Sequence, residues 1–243
     1  MWETRQRTLD QMAAADFRVA TKSSFNDLVT TVDKNNERYL TSKLRALQPA
    51  AQIISEEGFG DAVTDPAGPL FIVDPIDGTL NFVKQRDDFA IMLAYYVDGQ
   101  PKLGYIMDVM AGKLYHGGPE VGVWCNDDRL PEPANRNLRD SLVDVSASLL
   151  GAGYPGLREV VAQASSLRLY GSAGIEIVRV LKGQLGLYLS NLMPWDLAAG
   201  RALAEGLGLA VKSIDAPQVD VLSSNLVLVA TKQVAAEVAA LVN

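Results

Sequence analysis

Apolar residues in the first part of the chain recur at three- and four-residue spacing, the pattern of amphipathic helices. Leu9 and Met12 belong to one such stripe, which predicts a helix over residues 2–20. A second stripe, which includes Leu40, predicts another helix after Asp33. Both helices are expected to bury one face and expose the other.

Short apolar runs follow these helices and predict strands. Residues 52–55 and 70–73 are bounded by turn-forming residues and run directly into carboxylates, so both are expected to be buried strands with acidic C-terminal ends. Further strand-length segments, separated by glycine-containing turns, predict an antiparallel meander. They cover residues 89–97, 103–108, 113–117 and 121–126.

A stretch rich in Pro, Asn and Arg over residues 130–139 predicts a boundary between two lobes, 1–137 and 138–243. Beyond it, strand and helix patterns alternate, so the fold class expected for the chain is α/β (α+β). The predicted strands cover residues 142–146, 166–170, 185–189, 209–214 and 225–230. The predicted helices cover residues 155–164, 175–182, 196–206 and 233–242.

Composition narrows the class of protein. With 243 residues, 48% of them hydrophobic, the chain can bury a large core. No apolar run approaches the roughly 20 residues that span a bilayer, and the N-terminus does not resemble a signal peptide, so we expect a soluble, cytoplasmic protein without a membrane partner. The net charge of −7 has the wrong sign for a nucleic-acid binder.

Histidine and cysteine are too scarce for several kinds of catalytic site. His116 and Cys125 are the single residues of their types, which excludes an intramolecular disulfide and makes a Cys/His zinc site improbable. No nucleophile signature accompanies His116, so a Ser-His-Asp triad is not expected either. Any catalysis is therefore expected to depend on carboxylates.

The segment D-P-I-D-G-T concentrates such chemistry at the end of an apolar strand. It places Asp74 and Asp77 three residues apart, and Pro75 between them is expected to turn the chain out of the strand. Gly78 allows a close approach of the backbone to a ligand, and Thr79 is expected to begin a helix whose free N–H groups favour an anion. Taken alone, the segment is more typical of an ordinary turn at Asp77-Gly78, with Asp74 as a helix cap, than of a binding site.

Three further acidic segments lie at the edges of predicted elements and favour a metal site. They cover residues 27–33, 55–58 and 194–200. Two like charges about 4 Å apart near a protein surface repel by roughly 4 kcal/mol, so gathered carboxylates need protons or cations. Oxygen ligands of this type select Mg²⁺ or a similar hard ion.

The order of these motifs resembles the inositol monophosphatase family of metal-dependent phosphatases. The resemblance rests on D-L-V-T-x-x-D, an E-E pair, D-P-I-D-G-T followed by N-F, and a late W-D-x-A-A-G, and it spans most of the chain. It implies a layered αβαβα sandwich of the inositol monophosphatase and fructose-1,6-bisphosphatase type. It also implies a homodimer, a site between the lobes, two or three Mg²⁺ ions and inhibition by Li⁺.

The same resemblance implies roles for individual residues. Glu56 and the Thr79 hydroxyl would orient a water for attack on phosphorus, and Asp33 would lie near an additional, weaker metal position. The implied Mg²⁺ ligands are Glu56, Asp74, the carbonyl of Ile76, Asp77 and Asp196. The implied phosphate and substrate contacts are Asp77, Gly78, Thr79, Gly171, Ser172, Ala173 and Asp196. For Ser172, an N-cap of the following helix is an equally good interpretation.

The function expected from this resemblance is hydrolysis of a small polyol or sugar phosphate, inositol 1-phosphate first, by metal-activated water. Fructose 1,6-bisphosphate and NADP or nucleotide phosphates are alternative substrates, and a non-catalytic metal- and phosphate-binding regulatory module is an alternative of another class. Leu189 stands seven residues before Asp196, where relatives that cleave inositol phosphates commonly have Glu. We therefore expect relaxed discrimination among inositol isomers.

Overall fold

The computed structural model describes residues 1–14, 17–22, 25 and 27–242. Its helices are α1 (Trp2–Ala14), α2 (Thr31–Leu47), α3 (Thr79–Lys84), α4 (Ala147–Gly151), α5 (Leu157–Gln163), α6 (Ala173–Leu181), α7 (Pro194–Gly206) and α8 (Lys232–Val242). None of the helices in the described ranges is both long enough and apolar enough to cross a membrane.

The strands of the N-terminal part are β1 (Val19–Thr21), β2 (Leu28–Thr30), β3 (Gln52–Ser55), β4 (Pro69–Asp77), β5 (Ala90–Val97), β6 (Gln100–Asp108), β7 (Lys113–Gly118), β8 (Gly122–Cys125) and β9 (Asp128–Arg129). Strands β3 to β9 form one seven-stranded sheet in chain order. Strand β3 is parallel to β4, and every later pair is antiparallel. The predicted meander is thus confirmed.

A five-stranded sheet follows in the C-terminal part. Its strands are β10 (Leu142–Val145), β11 (Ser166–Arg168), β12 (Leu187–Leu192), β13 (Ala210–Ser213) and β14 (Asn225–Ala230). Their order is β11-β10-β12-β14-β13, with β10 parallel to β11 and β12, and β14 antiparallel to both of its neighbours. The two sheets occupy different halves of the sequence, and the lobe boundary near residue 137 stays a prediction.

Three apolar clusters define the layers of the fold. Helix α2 packs on the outer face of the large sheet, and its residues Val32 and Leu40 belong to the apolar cluster formed there. Helices α6 and α7 fill the space between the sheets, and α5 and α8 cover the outer face of the small sheet. The expected αβαβα sandwich is therefore confirmed.

The first predicted helix is too long. Helix α1 ends at Ala14, whereas Val19–Thr21 form β1 and pair with Leu28–Thr30 of β2. Phe17, which continued the helical spacing, contacts Phe82 across a ring-centroid distance of 5.1 Å. Long-range pairing therefore overrides the local periodicity, and residues 15 and 16 of the predicted helix lie outside the described residues.

The predicted exit from strand β4 at Pro75 is also wrong. The strand runs on to Asp77, and its register with β5 shifts between Asp74 and Asp77. Such a bulge accommodates a proline, which has no N–H to give to the ladder. The irregularity leaves both aspartates inside the strand and buried at one end of the sheet.

Close packing of α7 on the large sheet depends on a residue without a side chain. A Cβ atom on Gly104 of β6 would lie 2.3 Å from the backbone oxygen of Ala199 in α7. Because the obstructing atom belongs to the helix backbone, no rotamer change relieves the overlap. Gly104 therefore sets the distance between the sheet and the helix that carries Asp196.

Gly104→Ala is accordingly expected to lower the free energy of unfolding by about 1–3 kcal/mol, because α7 must shift to admit the methyl group. Urea unfolding with an unchanged slope measures the difference. Gly151→Ala is the matched control, since no atom lies within 4 Å of its Cβ position. Equal midpoints for the wild type and Gly104→Ala would contradict the packing argument.

Candidate functional site

Three carboxylates converge where strand β4 ends and helix α7 begins. Asp74 and Asp77 come from β4, and Asp196 comes from the first turn of α7. One oxygen from each of the three lies within 4.8 Å of the others, and Asp74 and Asp77 are buried. This spacing suits a shared cation, so the structure brings together three of the implied metal ligands.

Glu56 joins these three from the end of strand β3. Its amide donates to the Val73 carbonyl at 3.3 Å, and its side chain lies beside Asp74. Its Oε1 accepts a hydrogen bond from Lys22 Nζ at 2.8 Å, whereas its Oε2 is buried and has no partner among the described residues. A buried carboxylate oxygen without a donor is suited to a cation. Glu56, the three aspartates and Ile76 line one cavity of about 280 Å³.

The electrostatics of this cluster favour a positive charge. Burial raises the pKa of Glu56 to about 7 in spite of the nearby Lys22. Burial, and then the charge of Asp77, raises the pKa of Asp196 to about 8. Burial and neighbouring carboxylates also raise the pKa of Asp74 well above its usual range. A hard divalent cation would reverse these shifts, because it stabilises the ionised forms, and the all-oxygen donor set fits such an ion.

Asp77 has a second role, because its carboxylate is also anchored at the start of helix α6. The amides of Ala173 and Gly174 donate to its two oxygens at 3.0 and 2.8 Å, and the Ser172 hydroxyl donates to Oδ2. Burial raises the pKa of Asp77 to about 6, although these hydrogen bonds oppose the shift. The Ser172 oxygen also accepts from the amide of Ile175 at 3.3 Å, which confirms its interpretation as an N-cap.

Gly78 connects this strand end to helix α3. Its φ is +83°, and a Cβ atom there would lie 2.8 Å from Cβ of Ser172. Glycine is thus required both by the backbone conformation and by the approach of α6. The arrangement places Gly78 and Thr79 in the wall of the carboxylate cavity, next to Gly171.

Thr79 is held by a partner that the sequence did not predict. Its hydroxyl lies 3.0 Å from Oδ1 of Asp33 and 3.1 Å from the carbonyl oxygen of Ile76. The other Asp33 oxygen accepts hydrogen bonds from the amide and hydroxyl of Thr30, which caps helix α2. Asp33 therefore contacts Thr79 instead of the carboxylate cluster, and an additional metal position near Asp33 stays a prediction.

A second cavity of about 370 Å³ adjoins the first and shares Asp77, Gly171 and Asp196 with it. Asn81 donates from Nδ2 to the Tyr170 carbonyl at 2.7 Å and so holds the loop before α6 against helix α3. The polar side chains that line this cavity away from the carboxylate cluster include Asp144, Glu176, Tyr188 and Ser190.

The implied placement of position 189 in the substrate cavity is wrong, whereas relaxed discrimination among inositol isomers stays a prediction. Leu189 is fully buried in the outer apolar cluster, beside Val143 and Leu226, on the face of β12 turned away from the cavity. Its neighbours Tyr188 and Ser190 line the cavity instead. Because successive strand residues point to opposite faces, counting back from Asp196 by sequence identified a position on the wrong face.

Sequence reasoning also missed Asp144 and the roles of Asn81 and Glu176. Asp144 is the one acidic residue in the apolar segment Leu142-Val143-Asp144-Val145, and a carboxylate within a predicted buried strand was a usable signal. Asn81 belongs to the N-F pair that follows D-P-I-D-G-T, and this motif does not reveal its hydrogen bond to Tyr170. Glu176 carried no signal, because an acidic residue in the first turn of a helix is ordinary.

Comparison with known proteins agrees with this geometry. The sequence profile of the Inositol monophosphatase family matches residues 4–243. The inositol-1-monophosphatase of Bacillus subtilis is 33% identical over 215 residues, which cover 86% of this chain and 81% of that protein. A fructose-1,6-bisphosphatase/inositol-1-monophosphatase of Thermotoga maritima is 27% identical over 210 residues, covering 86% of this chain and 80% of that protein.

A solved structure supports the same comparison in three dimensions. The crystal structure of an IMPase/NADP phosphatase complexed with Mg²⁺ and phosphate superposes with a TM-score of 0.90 at 31% sequence identity. The match covers 100% of this chain and 92% of that one. That protein was solved with both a divalent cation and phosphate bound.

The position of Leu189 leads to a prediction about stability. Leu189→Glu is expected to lower the free energy of unfolding by about 3 kcal/mol or more, because it buries an unpaired carboxylate in the outer cluster. Leu189→Met is the matched control and should cost less than about 1.5 kcal/mol, since it nearly conserves volume. Chemical denaturation measures both. A Leu189→Glu protein as stable as the wild type would show that this side chain reaches solvent or the cavity.

Proposed function

The chain belongs to the inositol monophosphatase family and is a phosphomonoester hydrolase, and we propose that it hydrolyses a small polyol or sugar phosphate, with inositol 1-phosphate as the leading candidate. The observation that carries this proposal is the convergence of Asp74, Asp77 and Asp196 beside the buried, unpartnered Oε2 of Glu56. Such a site binds a cation and, through it, a phosphate. Hydrolysis of inositol 1-phosphate in the presence of Mg²⁺ is the direct test.

The proposed metal ligands are those of the acidic cavity. Glu56, Asp74, Asp77, Asp196 and the carbonyl of Ile76 would hold Mg²⁺, as two or three ions. When bound, Mg²⁺ would neutralise the charge of the phosphoryl oxygens and make a water molecule more acidic. The protein would hold five oxygen donors at the ends of β3 and β4 and at the start of α7. Lys22 offsets part of their negative charge through its ion pairs with Glu56 and Glu57.

Phosphate is proposed to lie where the two cavities meet. Gly78 and Thr79 would offer backbone N–H groups from one side, and the segment Gly171-Ser172-Ala173 would contact phosphate or substrate from the other. Two features of the structure support this placement. Gly78 and Gly171 line the same cavity as the carboxylates, and neither presents a side chain that would exclude a ligand.

Thr79 is proposed to orient the attacking water. Its single hydroxyl hydrogen has two acceptors within reach, Asp33 and the Ile76 carbonyl, so its lone pairs can accept a hydrogen bond from water. Glu56, which lines the same cavity, is proposed as the second group that positions this water. Asp33 would then act through Thr79, because it fixes the direction of the hydroxyl.

Other substrates of the superfamily remain alternatives. Fructose 1,6-bisphosphate and NADP are candidates because relatives carry those names, and nucleotide phosphates belong to the same group. Release of phosphate from each compound at equal concentration ranks them. Failure to hydrolyse any of them with Mg²⁺ would instead favour a metal- and phosphate-binding regulatory role. A homodimer and a cytoplasmic location are further proposals, which light scattering and cell fractionation can test.

Metal dependence gives a direct prediction. Excess chelator is expected to abolish hydrolysis, and Asp77→Asn or Asp196→Asn should lower kcat/KM by on the order of 10² or more, because each removes a proposed ligand charge. In parallel, Mg²⁺ should raise the melting temperature of the wild type but not of Asp196→Asn. Asp215→Asn, an exposed residue outside both cavities, is the control. Full turnover in chelator would contradict the proposed mechanism.

Thr79 provides a prediction that separates water positioning from metal binding. Thr79→Ala is expected to lower kcat by on the order of 10² or more, because the hydroxyl held by Asp33 is lost while the backbone N–H remains. The Mg²⁺ affinity should change little, and Thr79→Ser should retain most of kcat. Initial rates over a Mg²⁺ titration measure both quantities. A parallel loss of metal affinity and kcat would identify Thr79 as a ligand or a structural residue.

A further inference from the structure

A buried carboxyl pair in the second cavity has no part in the chemistry described above. Asp144 is 1% exposed, and Glu176 is buried beside it in the first turn of α6. The two side chains come from different elements, β10 and α6, and both line the cavity next to Asp77 and Asp196. Both lie outside the carboxylate cavity, beyond the place proposed for the phosphate, on the side where the alcohol half of a substrate would lie.

Asp144 has hydrogen-bonding capacity that the protein leaves largely unused. Both of its carboxyl oxygens are buried without a well-formed hydrogen bond among the described residues, although the Glu176 carboxyl and the Tyr170 amide lie within hydrogen-bonding range. Strand alternation turns Val143 and Val145 into the outer apolar cluster, so Asp144 points to the opposite face, toward α6 and the cavity. A buried acceptor without a donor is costly and fits a ligand that supplies the donor.

Two hydroxyl groups lie on the same face as Asp144. Tyr188 is its direct neighbour across the parallel β10–β12 pair, and Ser190 follows two residues later on β12. The Tyr188 hydroxyl is within hydrogen-bonding range of both Glu176 and Ser190. The cavity wall therefore presents a connected set of groups that both donate and accept hydrogen bonds, as the hydroxyls of a polyol also do.

The charges of this wall favour a neutral partner. Glu176 already accepts hydrogen bonds from the amides of Tyr170 and Gly171, at 3.0 and 2.9 Å. Burial and the charge of Glu176 raise the pKa of Asp144 to about 9, so Asp144 keeps its proton at neutral pH and can share it with Glu176. None of the described residues that line the cavity is Lys, Arg or His. A second phosphate would find no cation there.

We propose that Asp144, with Tyr188 and Ser190 beside it, is the subsite that binds the hydroxyl groups of the substrate's alcohol and selects uncharged polyols over substrates with a second phosphate. The inference rests on the proposed phosphatase activity and specifies its substrate class. It assigns to Asp144 the acceptor function that the sequence pattern had associated with position 189.

The test compares substrates that differ only in hydroxyl groups. Inositol 1-phosphate and cyclohexyl phosphate share a six-membered ring, and the wild type is expected to prefer the first by at least about 100-fold in kcat/KM, because a site built to bond hydroxyls rejects an analogue without them. Equal kcat/KM values for the two esters would overturn the subsite. Absence of hydrolysis of either ester, with Mg²⁺ present, would instead refute the proposed function.

Variants of Asp144 then test whether this residue causes the preference for inositol 1-phosphate. Asp144→Ala should lower the ratio of the two kcat/KM values by at least about tenfold. Asp144→Asn should give an intermediate ratio, because the amide can still accept one hydrogen bond and donate to Glu176. The ratio does not depend on the fraction of active protein, and Asp215→Asn should leave it unchanged. A wild-type ratio in Asp144→Ala would overturn the assignment.

Three further substrates test the charge argument. trans-2-Aminocyclohexyl phosphate carries an ammonium where trans-2-hydroxycyclohexyl phosphate carries a hydroxyl, and fructose 1,6-bisphosphate carries a second phosphate. The hydroxyl compound is expected to have the highest kcat/KM of the three, and Asp144→Ala should reduce its lead. A higher kcat/KM for the amino compound would identify an ammonium site, and a higher value for the bisphosphate would show that the cavity accepts an anion. Either result would overturn the proposal.

Discussion

The carboxylate of Asp77 joins the large sheet to the helix layer behind it at the place where the chemistry is proposed to occur. It ends strand β4 of the large sheet, and both of its oxygens accept hydrogen bonds from the start of α6, the helix layer between the sheets. Free amides and the helix dipole favour a negative charge at this position. The contact fixes β4 against α6 and brings Gly78 so close to Ser172 that a side chain there would collide. The acidic cavity therefore depends on the packing of the large sheet against this helix layer.

Gathering carboxylates at this junction works against the stability of the fold, and the surrounding groups reduce that cost. Each of the four acids has a local partner: Lys22 for Glu56, the amide of Ile76 for Asp74, the α6 amides for Asp77, and the amide of Met193 for Asp196. These contacts offset only part of the repulsion, because the pKa values of Glu56, Asp77 and Asp196 all remain above their usual range. The remaining imbalance is the physical basis for cation binding, since a site already neutral would have little affinity for Mg²⁺.

The sequence predicted the parts of the site that are close together in the chain. The segment D-P-I-D-G-T contains two carboxylates, a glycine that allows close approach of the backbone, and a hydroxyl. Its chemistry can therefore be inferred without knowledge of the fold. The convergence of Glu56 and Asp196 with these carboxylates was expected only through the family resemblance, and other contacts between distant residues were not predicted. The bond between Asp33 and Thr79 depends on how α2 packs against β4, and the bulge at Pro75 depends on pairing with β5. The face of Leu189 depends on where β12 begins, and an error of one residue in strand register reverses the direction of a side chain.

The two adjoining cavities form the two halves of the site, and they differ in whether their residues are consecutive or scattered in the sequence. This difference affects how substrate specificity can change. The proposed metal and phosphate half is built mainly from consecutive residues at the end of β4 and from the start of α7, whereas the other half collects single residues from β10, α6 and β12. Replacing Asp144 or Ser190 leaves the β4 bulge and the Asp77 contacts with α6 in place. Replacing Asp74 or Asp77 alters the proposed metal site itself. Substrate preference can therefore change through positions on β10 and β12 while the hydrolytic machinery is retained, which is why the phosphatase activity follows from the sequence motifs and the identity of the alcohol does not.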